Sequence, residues 1–188
     1  MRGFTLLELL FTIAIAATLV GIAVPLTSGA TDEIRTAAAA RYLATTIVSA
    51  RIDAVKRSTA VGLRFEARGV EVLVASHADG NGDGVRTADI LSGVDPILGP
   101  AERLGDRHPG VQFGLLPGIA DLDGGMGITE GVRIGIARIL TLSPTGGATS
   151  GTLYVHGRRS QYAVRVLGAT GRVRVFHYNP GARQWNSK

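Results

Sequence analysis

The sequence predicts an α+β protein in which one long N-terminal helix lies on antiparallel β-strands, and three observations predict it. From Leu9 to Leu26 the chain carries no charge, and apolar residues then recur at three- and four-residue steps as far as Arg57. After Ser58 the apolar period changes to two, the repeat of a strand with one buried face. The chain is also rich in Gly (26 of 188 residues) and poor in aromatics (5%), a composition suited to turns between short strands.

The N-terminal element is the most informative. The 18 uncharged residues Leu9–Leu26 meet the lower bound for a membrane-spanning helix. Counted from Phe4 the segment is about 35 Å long as a helix. Glu8 stands inside this apolar stretch, and an acid in a bilayer costs roughly 2.5–3.5 kcal/mol on insertion scales, so such residues are usually paired and functional. A secretory signal peptide would carry a basic start and an A-x-A-like cleavage site after its apolar core. Here the basic start is only Met1-Arg2, and Val24-Pro25-Leu26 is a poor cleavage site. A plain signal anchor gives Glu8 no task. Gly3-Phe4-Thr5-Leu6-Leu7-Glu8 resembles the type III signal of type IV pilins and pseudopilins. The resemblance implies that a prepilin peptidase cuts after Gly3 and methylates the new terminus at Phe4. It also implies that the Glu8 carboxylate neutralises the Phe4 ammonium of a neighbouring pilin or pseudopilin. The chain would then be a single-pass protein of the bacterial inner membrane, its C-terminal domain in the periplasm, entering a filament on assembly.

Pro25 and Gly29 predict a break or kink over Leu26–Thr31, because Pro removes a helical hydrogen bond. Helix resumes from about Asp32 to Arg57. Ile34, Ala38, Tyr42, Thr45, Val48, Ile52 and Val55 form the stripe expected to cover a sheet. The expected organisation is a leader at 1–3, a transmembrane or filament-core half-helix at 4–26, an amphipathic half at 27–57, and a β-rich domain at 58–188. That domain has a Gly-rich loop region at 77–130. Within it, Ala60–Glu66 and Gly69–Ser76 read as a hairpin, Val111–Leu116 as a short strand, and Gly131–Leu142 as one strand. Gly151–His156, Gln161–Leu167 and Arg172–Tyr178 read as three closing strands.

Three further passages resemble the GspH/FimT group of minor pseudopilins. They are the helix end Ser49–Arg57, the turn Leu142-Ser143-Pro144-Thr145-Gly146-Gly147 with the strand after it, and the closing Gly171-Arg172-Val173-Arg174-Val175. The resemblance covers both ends of the chain and leaves 77–130 longer and richer in Gly than the group's pattern. It implies a pilin-type helix packed on antiparallel sheets.

Candidate chemistry lies in two places. Asp79-Gly80-Asn81-Gly82-Asp83-Gly84 has the D-x-N-x-D-G spacing of a calcium loop, with Asp89 one residue early for the closing acid. The same residues also make a solvated Asx/Gly turn that needs no ion. The second place is basic. All fifteen acids fall in the first 130 residues, whereas the last 58 hold eight Arg and one Lys. Such asymmetry points to a polyanion. Arg172 and Arg174, two apart on a strand, share one face, with Val173 and Val175 turned to the helix. Arg165 extends the row and Arg158-Arg159 sits in a turn at its edge. The G-R-x-R pattern also resembles the DNA-contacting motif of uptake-linked pseudopilins. Arginines scattered over both faces, or Arg172 paired with Glu66 or Glu71, remain the plain alternatives.

No H-E-x-x-H, G-x-S-x-G or P-loop spacing is present, and the absence of Cys excludes disulfide scaffolds and thiol chemistry. The sequence reads as a non-enzyme. It is expected to be a minor pilin or pseudopilin that enters or primes a type IV pilus-like filament, binding double-stranded DNA through its C-terminal sheet. The alternative is a type II secretion pseudopilin with protein partners only.

Overall fold

The computed structural model of the chain describes residues 5–69 and 71–187, with side chains in that range outside 21–28. One helix, α1 (Leu6–Arg57), supplies 52 residues, a length of about 78 Å. Thr5 caps its start, its hydroxyl accepting the Glu8 amide at 3.3 Å, and Ser58 ends it in the left-handed region at φ 54°. The break expected over Leu26–Thr31 is absent, for α1 runs through Pro25 and Gly29. A long helix propagates on both sides of one missing hydrogen bond, so the loss stays local.

Among the described residues the rest is ten short strands and two short helices. These are β1 (Val61–Arg68), β2 (Glu71–Ala78), α2 (Thr87–Ser92), β3 (Glu102–Arg103), α3 (Leu104–Arg107), β4 (Gln112–Phe113) and β5 (Val132–Arg133). They continue as β6 (Ile139–Leu142), β7 (Gly151–His156), β8 (Gln161–Leu167), β9 (Arg172–Asn179) and β10 (Gln184–Ser187). Two antiparallel sheets result: one ordered β3-β2-β1-β6, the other β10-β9-β8-β7-β4 with β5 also on β7. The α+β architecture is thus the expected one. The span read as one strand, Gly131–Leu142, is instead two strands in different sheets. Gly135 at φ 46° and Arg138 at φ 51° turn the backbone between them, ending any single ladder.

The second half of α1 covers both sheets with small residues. Ala39, Ala40, Leu43, Ile47, Ala50 and Ala54 are buried and meet Leu63, Phe65, Leu140, Leu153, Val164 and Val166 in the main core. The expected stripe is therefore corrected: Ile34, Val48, Ile52 and Val55 point outward at 45–69% exposure. Alanines let the helix approach the sheets closely, so the buried face is the smaller one.

The 77–113 segment sets Leu104 and Val111 in the main core and buries Val85, and between these anchors its shape is held by carboxylates. Asp79 accepts the amides of Asn81, Gly82 and Gly84, and Asp95 accepts those of Gly80 and Arg86. Glu102 accepts hydrogen bonds from Nη2 and Nε of Arg107 at 2.7 and 2.9 Å and from the Tyr42 hydroxyl of α1. Hydrogen bonding by Arg107 and then Tyr42 holds the Glu102 carboxyl down at about 2. Carboxylates with their donors in place, Asp79 and Asp95 buried and Glu102 partly exposed, fix the shape of this Gly-rich stretch between its few apolar anchors.

Candidate functional site: the apolar helix and the arginine face

Two surfaces stand out, and α1 carries the first. Between Leu6 and Val20 the large apolar side chains are 54–80% exposed, on every side of the helix. Ile34, Val48, Ile52 and Val55 continue that exposure down the half that is welded to the sheets. Glu8 lies in the first turn, where a carboxylate favours the helix N-terminus. Gly3 and Phe4, expected to border the cleavage point, lie outside the described residues. The stretch expected to span a membrane, 4–26, runs partly beyond the described side chains, and among the described residues no helix is long and apolar enough to cross a membrane.

The second surface is the outer face of the β7–β8–β9 sheet. Register decides what lies there. Val164 faces Val175 and Val166 faces Val173 on the helix side, whereas Arg165 lies directly opposite Arg174, and Leu167 opposite Arg172, on the outer side. Tyr154 and Ala163 share this outer face, where Leu115, Ile119, Leu122, Phe176 and Trp185 cover them in a second, smaller core. The covering 115–130 loop is tied down by the Trp185 indole, which donates to the Ala120 carbonyl at 2.9 Å. Leu122 likewise donates its amide to the Tyr154 hydroxyl at 3.1 Å.

Past that cover the face turns cationic. Arg172 and Arg174 are exposed, and among the described residues neither has an ion-pair partner. Glu66 pairs with Arg64 and Arg68, and Glu71 with Arg103, so neither takes Arg172. Arg165 differs. Its guanidinium donates to Thr152 at 3.1 Å and to Asp123 at 2.6 Å. Next to it, Arg133 pairs with the buried Asp121. Burial pushes the Asp121 carboxyl up, but the amides of Gly125 and Asp123, with Arg133, hold it below its ordinary value. Asp123, Arg133, Thr152 and Arg165 line an open cleft of about 520 Å³ beside the exposed arginines. Nothing in sequence spacing couples Asp123 to a residue 42 positions away, so the pair goes unread until the fold is known.

Arg158 and Arg159 do not join this group. They occupy the β7–β8 turn at the far end of β8, six residues and about 20 Å of strand from Arg165. Their amides, with the amide and hydroxyl of Ser160, all donate to the Asp32 carboxylate of α1 at 2.7–3.1 Å. At the other end of the helix contact, Arg51 reaches the Gly171 carbonyl at 3.5 Å, just before Arg172.

The calcium reading fares differently by residue. Asp79 spends its oxygens on loop amides, Asn81 accepts the Asp83 amide, Asp83 pairs with Arg86 at 2.9 Å, and Asp89 sits in the first turn of α2. Among the described residues no three acidic or His side chains converge as a metal-binding group.

A long exposed apolar helix carried on two antiparallel sheets is an α+β, pilin-like architecture. Comparison with known proteins agrees at that level. The chain is 43% identical over 68 residues to the pilin-like protein PilA1 of Thermus thermophilus, a stretch of 36% of this chain and 42% of the relative. The match thus spans less than half of that relative's length. It supports a type IV pilin-like family. No family model and no solved structure matches the chain.

Proposed function

We propose that this chain is a minor pilin or pseudopilin of the GspH/FimT kind. It is cleaved after Gly3, held in the inner membrane by its apolar half-helix, and packed helix to helix in a filament. One observation carries the reading: large apolar side chains stand exposed on every side of α1 from Leu6 to Val20 and again at Ile34, Val48, Ile52 and Val55, while the opposite face of its second half is packed on a folded domain. A helix apolar all round calls for lipid or neighbouring helices as its surroundings. The similarity to a pilin-like protein supports the same structural, non-enzymatic role and pilin partners. Glu8 then has a second partner besides its helix turn, the Phe4 ammonium of an adjacent subunit. Glu8→Ala is the test. Cleaved, membrane-extracted protein that fails to co-purify with filaments is the expected result. Normal incorporation of that variant, or an intact Met1 by mass spectrometry of the native protein, overturns the reading.

The arginine face favours a DNA contact within that role. Arg172 and Arg174 stand exposed on one strand face with no ion-pair partner among the described residues, and guanidinium forks suit phosphate. Contacts of this kind are nearly sequence-independent and steeply salt-sensitive. Arg172→Gln with Arg174→Gln is expected to abolish a duplex mobility shift at low salt without changing the melting temperature. A folded wild-type chain that binds no duplex leaves the protein-only role of a secretion pseudopilin.

A further inference from the structure

Arg165 and Arg174 are cross-strand partners, so their side chains share one spot on the outer face, yet they differ in charge status. Arg174 is exposed and has no ion-pair partner among the described residues. The Arg165 side chain is about three-quarters buried, fixed by Thr152, and carries the Asp123 carboxylate at 2.6 Å. Asp123 itself is 64% exposed at the rim of the cleft. It comes from a loop held in place independently: Asp121 accepts the amides of Asp123 and Gly125 at 2.8 and 2.7 Å and pairs with Arg133. The loop therefore delivers a carboxylate to the row of arginines without depending on Arg165 for its own shape. Any phosphate approaching the row meets two open guanidiniums and one that is already occupied.

We infer that Asp123 limits how many phosphates the arginine face engages, holding Arg165 out of contact while Arg172 and Arg174 bind. The inference rests on the polyanion reading proposed above. It makes Asp123 a determinant of affinity: a strand of phosphates gains a third contact only by displacing a surface carboxylate from its ion pair. A half-exposed pair of this kind contributes little to folding, so the acid is free to act on binding.

The experiment uses the full chain in nonionic detergent and a short labelled DNA duplex, with anisotropy followed across a salt series. Asp123→Asn is expected to bind about five- to tenfold tighter at low salt, and its log K against log[salt] slope is expected to steepen by about 0.9, one phosphate's worth. Asp123→Asn with Arg165→Gln is expected to return both values to those of the wild type. That double variant separates a contact made by Arg165 from the general effect of one less negative charge. Tighter binding that persists in the double variant refutes the inference while the DNA reading stands, as does an Asp123→Asn slope equal to that of the wild type. No binding by either the wild type or Asp123→Asn removes the DNA reading and this inference with it. Unchanged melting curves exclude misfolding as the cause in each case.

Discussion

Asp32 clasps α1 to the β7–β8 turn, and Asp32→Ala tests that clasp. Its carboxylate accepts four hydrogen bonds from the 158–160 turn, three from amides and one from the Ser160 hydroxyl. Hydrogen bonds to a charged group are worth about 1.5–3 kcal/mol each in a closed site. Asp32 is only half-buried, so water recovers part of that on removal, and Asp32→Ala is expected to cost about 3 kcal/mol in all. At about 2–4 °C per kcal/mol for a chain of this size, the melting temperature of the detergent-solubilised protein falls by about 6–12 °C. Gly157→Ala reaches the same lesion from the other side, since a Cβ there would lie 2.2 Å from the Asp32 Oδ1 and 2.5 Å from the Thr36 hydroxyl. Because both changes displace one carboxylate, the double variant is expected to lose clearly less than the sum of the two. Acid gives an independent reading. Burial pushes the Asp32 carboxyl up, but the amides of Arg158, Arg159 and Ser160 and the Ser160 hydroxyl bring it below its ordinary value. The group is thus more acidic folded than unfolded. Its contribution is present above the unfolded value of about 3.9 and is lost as pH falls through the lower folded one. The gap between wild type and Asp32→Ala therefore narrows as pH falls below the unfolded value and closes once the lowered folded value is passed. Calorimetry across pH decides it. An Asp32→Ala melt within about 2 °C of wild type, or strict additivity with Gly157→Ala, refutes the clasp.

Three other outcomes are expected. Glu102→Gln removes a carboxylate held at about 2, so the stability that Glu102 adds above its unfolded pKa and sheds as pH falls toward 2 disappears. Discounted for its exposure the loss is about 1 kcal/mol near neutral pH, read by urea titration at pH 7 and pH 2.5. Trp185→Ala releases the 115–130 loop from its indole bond and ring contacts with Tyr154 and Tyr178, and amide exchange at 119–128 is expected to rise while α1 stays protected. Ile52→Lys, on the exposed helix stripe, is expected to leave the melt within about 0.5 kcal/mol of wild type. The same substitution is expected to reduce co-purification with filaments; retention at the wild-type level would show that the stripe packs on nothing.

The parts legible in the sequence are those governed by local periodicity. The strands Gly151–His156 and Gln161–Leu167 have the bounds their alternation predicts, and the first hairpin is displaced by about two residues only. The α+β class followed from the change of period after Ser58. What was illegible depends on partners distant in the chain. The buried face of α1 was misplaced because a size-weighted stripe favours Ile34, Val48 and Ile52, whereas close approach to two sheets selects Ala39, Ala40, Ala50 and Ala54. β10 is not legible in the sequence because its three polar residues, Gln184, Asn186 and Ser187, acquire meaning with Trp185 only from pairing with β9. In the basic region, strand parity correctly put Arg172 and Arg174 on one face and Val173 and Val175 on the other. It could not show that Arg165 is matched by Asp123, nor that the arginines at 158 and 159 stand at the other end of their strand, moored to Asp32.

The two moorings of α1 also have a mechanical meaning. Asp32 holds the β7–β8 turn and Arg51 holds the loop before β9, 19 residues and about 28 Å apart along the axis. A pull directed along the helix loads both attachments, and the buried alanine seam between them, in parallel. Tension is shared in shear over several turns instead of peeling one contact at a time. The domain is consequently braced against axial traction at its N-terminal end and is weakest against a force that lifts the Asp32 end sideways off the sheet.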